Sequence, residues 1–125
     1  MRVLLVKGVI KKMKTILICN QKGGVGKTLI ADELAFALER DGIPYSFYDL
    51  DEQGSAIHKT VNNPDAEVQV VDTPGALQED LIKWVDEADM VIVPTMMSNR
   101  DTKPLMRMIE ILAPYEKKGK PVLYI

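Results

Sequence analysis

The chain has 125 residues, of which 46% are hydrophobic and 27% are charged, and this length suits one globular domain. Its net charge of −2 argues against a globally basic nucleic-acid-binding protein. A single cysteine, Cys19, excludes a disulfide framework, and no apolar run has the length of a membrane-spanning helix.

The first twelve residues are basic and contain no acidic residue. Their charged side chains are Arg2, Lys7, Lys11 and Lys12. Because Lys7 interrupts the apolar positions, the stretch does not show the long apolar core of a signal peptide. We predict that residues 1–12 form a basic N-terminal arm or an extra strand, and that residues 13–125 form the main domain.

From Met13 onward, strand patterns and helix patterns alternate. Apolar, β-rich runs predict strands at 15–19, 45–49, 68–72, 90–94 and 121–125. Apolar residues at helical spacing predict helices after the first, third and fourth of these runs. Their predicted inner positions are Ile30, Leu34, Ala37 and Leu38, then Leu77, Leu81, Trp84, Val85 and Ala88, then Leu105, Met108, Ile109 and Leu112. Strands joined by helices predict an α/β fold with a mainly parallel sheet flanked by helices on both faces.

A glycine-rich segment, Lys22-Gly-Gly-Val-Gly-Lys-Thr28, lies between the first predicted strand and the first predicted helix. Glycines allow consecutive backbone N–H groups to turn toward a phosphate chain, and a helix start adds the positive end of its dipole. Lys27 can reach the β- and γ-phosphates, and the Thr28 hydroxyl is suited to ligate Mg²⁺. The segment therefore predicts a phosphate-binding loop.

Acidic residues follow the next two predicted strands. Asp49 and Asp51 lie at the end of the second predicted strand, and Asp72 lies at the end of the third. Ligands of open parallel sheets bind beyond the carboxyl ends of the strands, so these acids are expected beside the phosphate-binding loop. Carboxylates in that position can hold metal-bound waters or orient an attacking water.

The glycine-rich segment departs from the general P-loop pattern at two positions, and these departures resemble a known family. Gln21 stands where that pattern has its first glycine, and Lys22 adds a second cation to the loop. This loop resembles that of the ParA/MinD family of deviant-Walker ATPases. Two further segments resemble other motifs of the same family, namely Asp49-Leu-Asp51-Glu-Gln53-Gly54 and Val70-Val-Asp72-Thr-Pro74-Gly75. The resemblance covers nearly the whole chain and implies a three-layer P-loop NTPase fold, truncated at its C-terminus.

The resemblance also implies a role for each site residue. Lys22, Lys27 and Asp51 would be catalytic: Lys22 would reach the partner's nucleotide across a dimer interface, and Asp51 would position the attacking water. Thr28, Asp49 and Asp72 would bind Mg²⁺. The residues expected to bind ATP are Lys22, Gly23, Gly24, Val25, Gly26, Lys27, Thr28 and Leu29.

On this resemblance, the chain is expected to be a Mg²⁺-dependent ATPase that dimerises when it binds ATP. Its expected role is plasmid or chromosome partitioning, or the positioning of another cargo. The expected partners are a second copy of the chain and a centromere-binding, ParB-like activator, and the expected location is cytoplasmic, with nucleoid association as an option. Non-specific DNA is a further partner in the family, but the basic C-terminal surface used for it is not among these 125 residues.

Three other functions are alternatives to this one. The main alternative is a truncated nucleotide-binding or dimerisation module without turnover. An iron–sulfur reductase subunit needs paired cysteines, and Cys19 alone does not supply them. A MinD-like membrane-site selector would need an amphipathic membrane-binding helix, which the sequence does not show, so no membrane partner is expected.

The sequence context of five further residues predicts where they lie. Cys19 and Trp84 are predicted to be core residues, and His58, the one histidine, is predicted to lie on a solvated surface. Ser98 and Arg100 follow the fourth predicted strand, and the family resemblance implies a place for them near the edge of the site.

Overall fold

The computed structural model describes residues 2–6, 9–20, 26–50, 56–73, 78–95 and 103–125. Strands and helices alternate along most of this part of the chain. The strands are β1 (Arg2–Val6), β2 (Val9–Ile18), β3 (Tyr45–Asp49), β4 (Val68–Asp72), β5 (Met90–Val93) and β6 (Val122–Tyr124). The helices are α1 (Lys27–Arg40), α2 (Gln78–Glu87) and α3 (Lys103–Lys117).

The strands form one sheet in the order β3-β4-β2-β5-β6, and every neighbouring pair in this order is parallel. β1 adds an antiparallel pairing to the first half of β2, with Arg2 opposite Met13 and Val6 opposite Val9. Helices connect β2 to β3, β4 to β5, and β5 to β6. The predicted α/β fold with a mainly parallel sheet is therefore confirmed.

β2 is longer than the predicted strand at 15–19, since it begins at Val9. Its first half pairs with β1, and from Lys14 it pairs with β4. The first half of this strand is difficult to predict from the sequence because the lysines at 11, 12 and 14 interrupt the apolar run. Strand pairing uses backbone N–H and C=O groups, which lysine supplies like any other residue.

Alternate residues of the central strands face two separate cores, as expected for a sheet covered on both sides. On one side, Ile18 and Val70 pack against Ala31, Ala35 and Leu38 of α1. On the other side, Leu17 and Val71 belong to the cluster that contains the inner residues of α2 and α3. These inner residues are Leu81, Val85, Met108 and Leu112. Ile109 was predicted to join them, but it is 38% exposed, so that prediction is wrong.

Within the described residues, none of the helices combines the length and the apolar character that crossing a bilayer requires.

Candidate functional site

The first turn of α1 is the centre of the candidate site. Gly26 precedes the helix with a φ of 86°, a left-handed conformation that strains residues with a side chain. Its carbonyl accepts the first helical hydrogen bond, from Ile30 N at 3.1 Å. Lys27 is only 3% exposed, whereas Leu29 is 65% exposed. A helix start has no preceding carbonyls for its first N–H groups and carries positive charge, which suits an anion.

Two of the predicted acidic residues lie at one edge of the sheet. Asp49 at the end of β3 is in register with Asp72 at the end of β4, and Asp72 is in register with Ile18 at the end of β2. Asp72 is fully buried and Asp49 is half-buried. The pairing continues past β3, because Leu50 N donates to Asp72 O at 2.9 Å. The start of α1 and the two carboxylates therefore face the same end of the sheet.

A direct hydrogen bond joins the helix to this edge. The Thr28 hydroxyl donates to Asp72 Oδ2 at 3.1 Å. A hydroxyl and a carboxylate are hard oxygen donors, which Mg²⁺ prefers, and Mg²⁺ usually keeps several waters besides one or two protein oxygens. The donor set therefore fits the predicted magnesium ion. With Lys27 in the same turn, the arrangement can bind a phosphate chain together with its metal.

Further hydrogen bonds fix the strand ends beneath the site. The Asn20 amide donates to Pro94 O at 2.8 Å, which connects the end of β2 to the end of β5. Thr73 donates to Ile18 O through both its hydroxyl, at 2.9 Å, and its backbone N–H, at 3.2 Å. Sequence reasoning gave neither Asn20 nor Thr73 a role. The sequence feature that could have identified them is a polar residue directly after a buried strand.

Cys19 is buried at the same edge, as predicted. Burial raises the pKa of its thiol to about 12, and the nearby charge of Lys27 only partly opposes this. The thiol is therefore neutral at physiological pH, and a nucleophilic or metal-binding role does not fit it.

Several predicted site residues lie outside the described residues. They are Lys22, Gly23, Gly24, Val25 and Asp51, and the same holds for Ser98 and Arg100. Among the predicted residues that the structure describes, Thr28 contacts Asp72, and Asp49 lies next to Asp72 in register. Gly26, Lys27 and Leu29 are the neighbours of Thr28 at the start of α1, and the Leu29 side chain is exposed.

A second polar cluster lies farther along α1, and the sequence did not reveal it. Asp32 is buried, and His58 lies against it with a side chain only 10% exposed. The prediction that His58 lies on a solvated surface is therefore wrong. Its ring packs on Phe36 and Phe47, with centroid distances of 4.4 and 5.4 Å. The available signal was an aspartate at an inward position of α1, next to Ala31 and one turn from Ala35.

A cavity of about 430 Å³ opens on the face of the sheet where α2 packs. Its lining includes Thr15, Tyr48, Gln69 and Trp84, but not Lys27, Thr28, Asp49 or Asp72. The cavity is therefore distinct from the first turn of α1.

Comparison with known proteins gives a family match over most of the chain. A family model described as the CobQ/CobB/MinD/ParA nucleotide binding domain matches residues 16–125. Protein IncC of Escherichia coli is 50% identical to this chain over 44 residues. That stretch is 35% of this chain but only 12% of IncC.

Solved structures show the same fold at low sequence identity. Cobyrinic acid a,c-diamide synthase from Mycobacterium smegmatis, with bound ATP analogue and magnesium, aligns with a TM-score of 0.69 at 15% identity. The alignment covers 90% of this chain and 70% of the synthase. A McdA variant from Cyanothece in complex with ATP aligns with a TM-score of 0.64 at 18% identity, covering 92% of this chain and 68% of McdA.

Proposed function

Because the chain belongs to the CobQ/CobB/MinD/ParA nucleotide binding domain family, we propose that it is a ParA-like ATPase that binds ATP with Mg²⁺ at the start of α1. The observation that carries this proposal is the 3.1 Å hydrogen bond between Thr28 and Asp72. It places a hydroxyl and a carboxylate beside the buried Lys27, at the end of a helix that attracts anions. The ATP analogue and magnesium of the synthase structure and the ATP of the McdA structure are in keeping with this ligand.

Each described residue has a proposed task. The Lys27 ammonium and the first N–H groups of α1 bind the β- and γ-phosphates. Thr28 supplies a hydroxyl oxygen to Mg²⁺, and the carboxylates of Asp72 and Asp49 accept hydrogen bonds from the waters that the ion retains. When bound, Mg²⁺ neutralises charge that develops on the phosphate oxygens.

Two residues outside the described part complete the proposed reaction. Asp51 follows β3 by two positions and orients the water that attacks the γ-phosphate. Lys22 places its positive charge beside the phosphates of the nucleotide bound by a second copy of the chain. There it stabilises the negative charge that develops during hydrolysis, as an arginine finger does. ATP then favours the dimer, because its phosphates lie between lysines that otherwise repel each other.

The proposed biological role is plasmid or chromosome partitioning, or the positioning of another cargo, in the cytoplasm. The family membership and the local likeness to IncC support a ParA-type protein. In this role, a centromere-binding, ParB-like protein stimulates hydrolysis.

Titration calorimetry with ATP and Mg²⁺ tests the nucleotide site. The wild-type chain should bind, and Lys27→Ala should lose at least about tenfold in affinity, since a hydrogen bond to a charged group contributes about 1.5–3 kcal/mol. Lys83→Ala removes an exposed lysine of α2 and should bind like wild type. A flat wild-type titration, or unchanged affinity in Lys27→Ala, would refute the proposed site.

Phosphate release then separates the enzyme from the alternative of a binding or dimerisation module. Steady release that depends on Mg²⁺ supports an ATPase. Binding without release supports the module.

A further inference from the structure

The floor of the cavity beside α2 is formed by side chains of three adjacent strands. Thr15 of β2 is in register with Gln69 of β4. Two residues further along the strands, Leu17 of β2 is in register with Val71 of β4, and Val71 is in register with Tyr48 of β3. Since residues two positions apart in a strand face the same side, the floor has a polar row and an apolar row. The volume of about 430 Å³ lies within the range of roughly 300–1,000 Å³ that is usual for small-molecule pockets.

Two aromatic side chains line the apolar end of the cavity. Tyr48 and Trp84 are half-buried, and both pack against the hydrophobic cluster on this side of the sheet. The Tyr48 hydroxyl donates to Asn62 Oδ1 at 3.0 Å, which holds the ring in one orientation. Leu50 also lines the cavity, and because it is 41% exposed it lies at the mouth. Aromatic and aliphatic walls of this kind suit a flat apolar group.

The other end of the cavity is polar and negatively charged. Among the described residues that line the cavity, Glu87, the last residue of α2, is the charged one. Thr15 N donates to Asp89 Oδ2 at 2.7 Å and Asp89 N donates to Thr15 O at 2.9 Å, so the end of α2 is held beside the polar row. Gln69, which is 8% exposed, adds a side-chain amide to this row. The nearby Lys120 ammonium is bound by two backbone carbonyls of α2.

We propose that this cavity binds a small molecule with a flat aromatic body and a cationic amine or amidine group. The aromatic body lies on Leu17 and Val71 between Tyr48 and Trp84, and the cation lies beside the carboxylate of Glu87. A carboxylate and a cationic N–H donor form a charge-assisted hydrogen bond, which is stronger than a neutral one. Phosphate groups would be repelled by the same carboxylate, so this ligand differs from the proposed nucleotide. The proposal does not rest on ATPase activity.

The fluorescence of Trp84 tests the site directly, because Trp84 is the only tryptophan of the chain. Three probes that share a phenyl body but differ in charge, namely 2-phenylethylamine, 2-phenylethanol and phenylacetate, are titrated into the nucleotide-free chain. The amine, a cation of about nine non-hydrogen atoms, should change the emission saturably with a Kd on the order of 1 mM. The alcohol should bind about threefold more weakly or worse, and phenylacetate should give no saturable change. No saturable change with the amine, or equal Kd values for the three probes, would overturn the proposal.

Substitution of Glu87 tests the charge preference. Glu87→Gln should weaken binding of the amine by about three- to tenfold and leave binding of the alcohol unchanged. Because Glu87 is exposed, the variant should fold like wild type. Asp80→Asn removes another exposed carboxylate, about two turns earlier on α2 and not part of the lining, and should bind the amine like wild type. Unchanged affinity for the amine in Glu87→Gln, or an equal loss in Asp80→Asn, would contradict a cation beside Glu87.

Amide chemical shifts of the wild-type chain locate the bound probe. On addition of 2-phenylethylamine, the largest changes should fall on Thr15, Tyr48, Gln69 and Trp84. Largest changes at Lys27 and Thr28 instead would place the probe at the start of α1 and overturn the proposed cavity site. A flat titration with ATP would refute the nucleotide site and leave these results unaffected, so the two proposals can fail separately.

Discussion

The Thr28 hydroxyl and the Asp72 carboxylate meet at 3.1 Å although 44 positions separate them in the sequence. The contact joins the first turn of α1 to the end of β4. Since both groups are hard oxygen donors, the contact places the metal-binding and phosphate-binding parts of the proposed site together.

Substitution of this pair should weaken the Mg²⁺ dependence of nucleotide binding. Asp72→Asn should lower the apparent Mg²⁺ affinity by roughly 10- to 100-fold, as is typical for residues that orient metal-bound groups. Thr28→Ala should have an effect in the same direction, whereas Thr28→Ser keeps the hydroxyl and should stay near wild type. Magnesium titrations at fixed ATP, followed by calorimetry, give these affinities. Equal Mg²⁺ dependence in Thr28→Ala and Thr28→Ser would remove the hydroxyl from the metal site.

Lys22→Ala should separate nucleotide binding from hydrolysis. The monomer should bind ATP normally through Lys27, but ATP-dependent dimers should disappear and turnover should fall by about 10³-fold, the lower range for an arginine-finger contribution. Light scattering with and without ATP, together with phosphate release, measures both effects. Lys59→Ala, which changes an exposed lysine, is the control. Turnover that persists in Lys22→Ala would contradict the cross-dimer role.

Asp51→Ala should trap an ATP-bound dimer. Removing the carboxylate that orients the water leaves the phosphate contacts in place, so binding and dimerisation should continue while hydrolysis stops. After incubation with ATP, Asp51→Ala should be recovered as a dimer that holds ATP, whereas the exposed control Asp65→Ala should have converted its ATP to ADP. If Asp51→Ala hydrolyses ATP at the wild-type rate, another residue positions the water.

Acid should destabilise the fold partly through Asp32. Burial acts to raise the pKa of Asp32, but hydrogen bonds from Ile57 and His58 and the charge of His58 outweigh it and hold this pKa below its usual value. The pKa of Glu39 is also lowered, chiefly by the hydrogen bond from Tyr45. Below the usual carboxyl pKa, the unfolded chain then binds more protons than the folded chain. Stability is therefore fully present above that pH and falls as the pH approaches the lowered folded values.

Urea unfolding at several pH values measures this effect. At neutral pH, Asp32→Ala should lose about 3 kcal/mol of stability, a common cost of breaking a buried charge pair. Asp32→Asn should show a shallower loss of stability than wild type between roughly pH 5 and pH 3, because the titrating group is gone. Glu33→Gln should keep the wild-type slope. A wild-type slope in Asp32→Asn would show that Asp32 does not contribute.

The sequence predicted those parts of the fold that are encoded locally. The runs Tyr45–Asp49 and Val68–Asp72 are continuous, β-rich and flanked by polar or turn residues, and they coincide with β3 and β4. Lys27 and Thr28 were found because their spacing from the glycines has a direct chemical meaning. The structure adds that α1 begins at Lys27 and that Thr28 contacts Asp72.

What the sequence did not predict depends on contacts between distant residues. Asp32 and His58 lie 26 positions apart, and although Asp32 has an inward position on α1, no local pattern indicates His58 as its partner. Ile109 has helical spacing but lies at the margin of the buried stripe of α3, so periodicity alone placed it wrongly. β2 begins early, at Val9, because its first half pairs with β1. The lysines in this stretch interrupt the apolar pattern, so the local sequence does not indicate the start of the strand.

The burial of Cys19 has a practical consequence for experiments on this chain. Its thiol is 0% exposed and its pKa is raised to about 12, so it presents almost no thiolate to a maleimide or to a dye carrying one. A cysteine introduced at an exposed position such as Glu33 would then be labelled selectively, with the native residue left in place. Pairs of fluorophores attached in this way could report subunit association in real time during a nucleotide cycle.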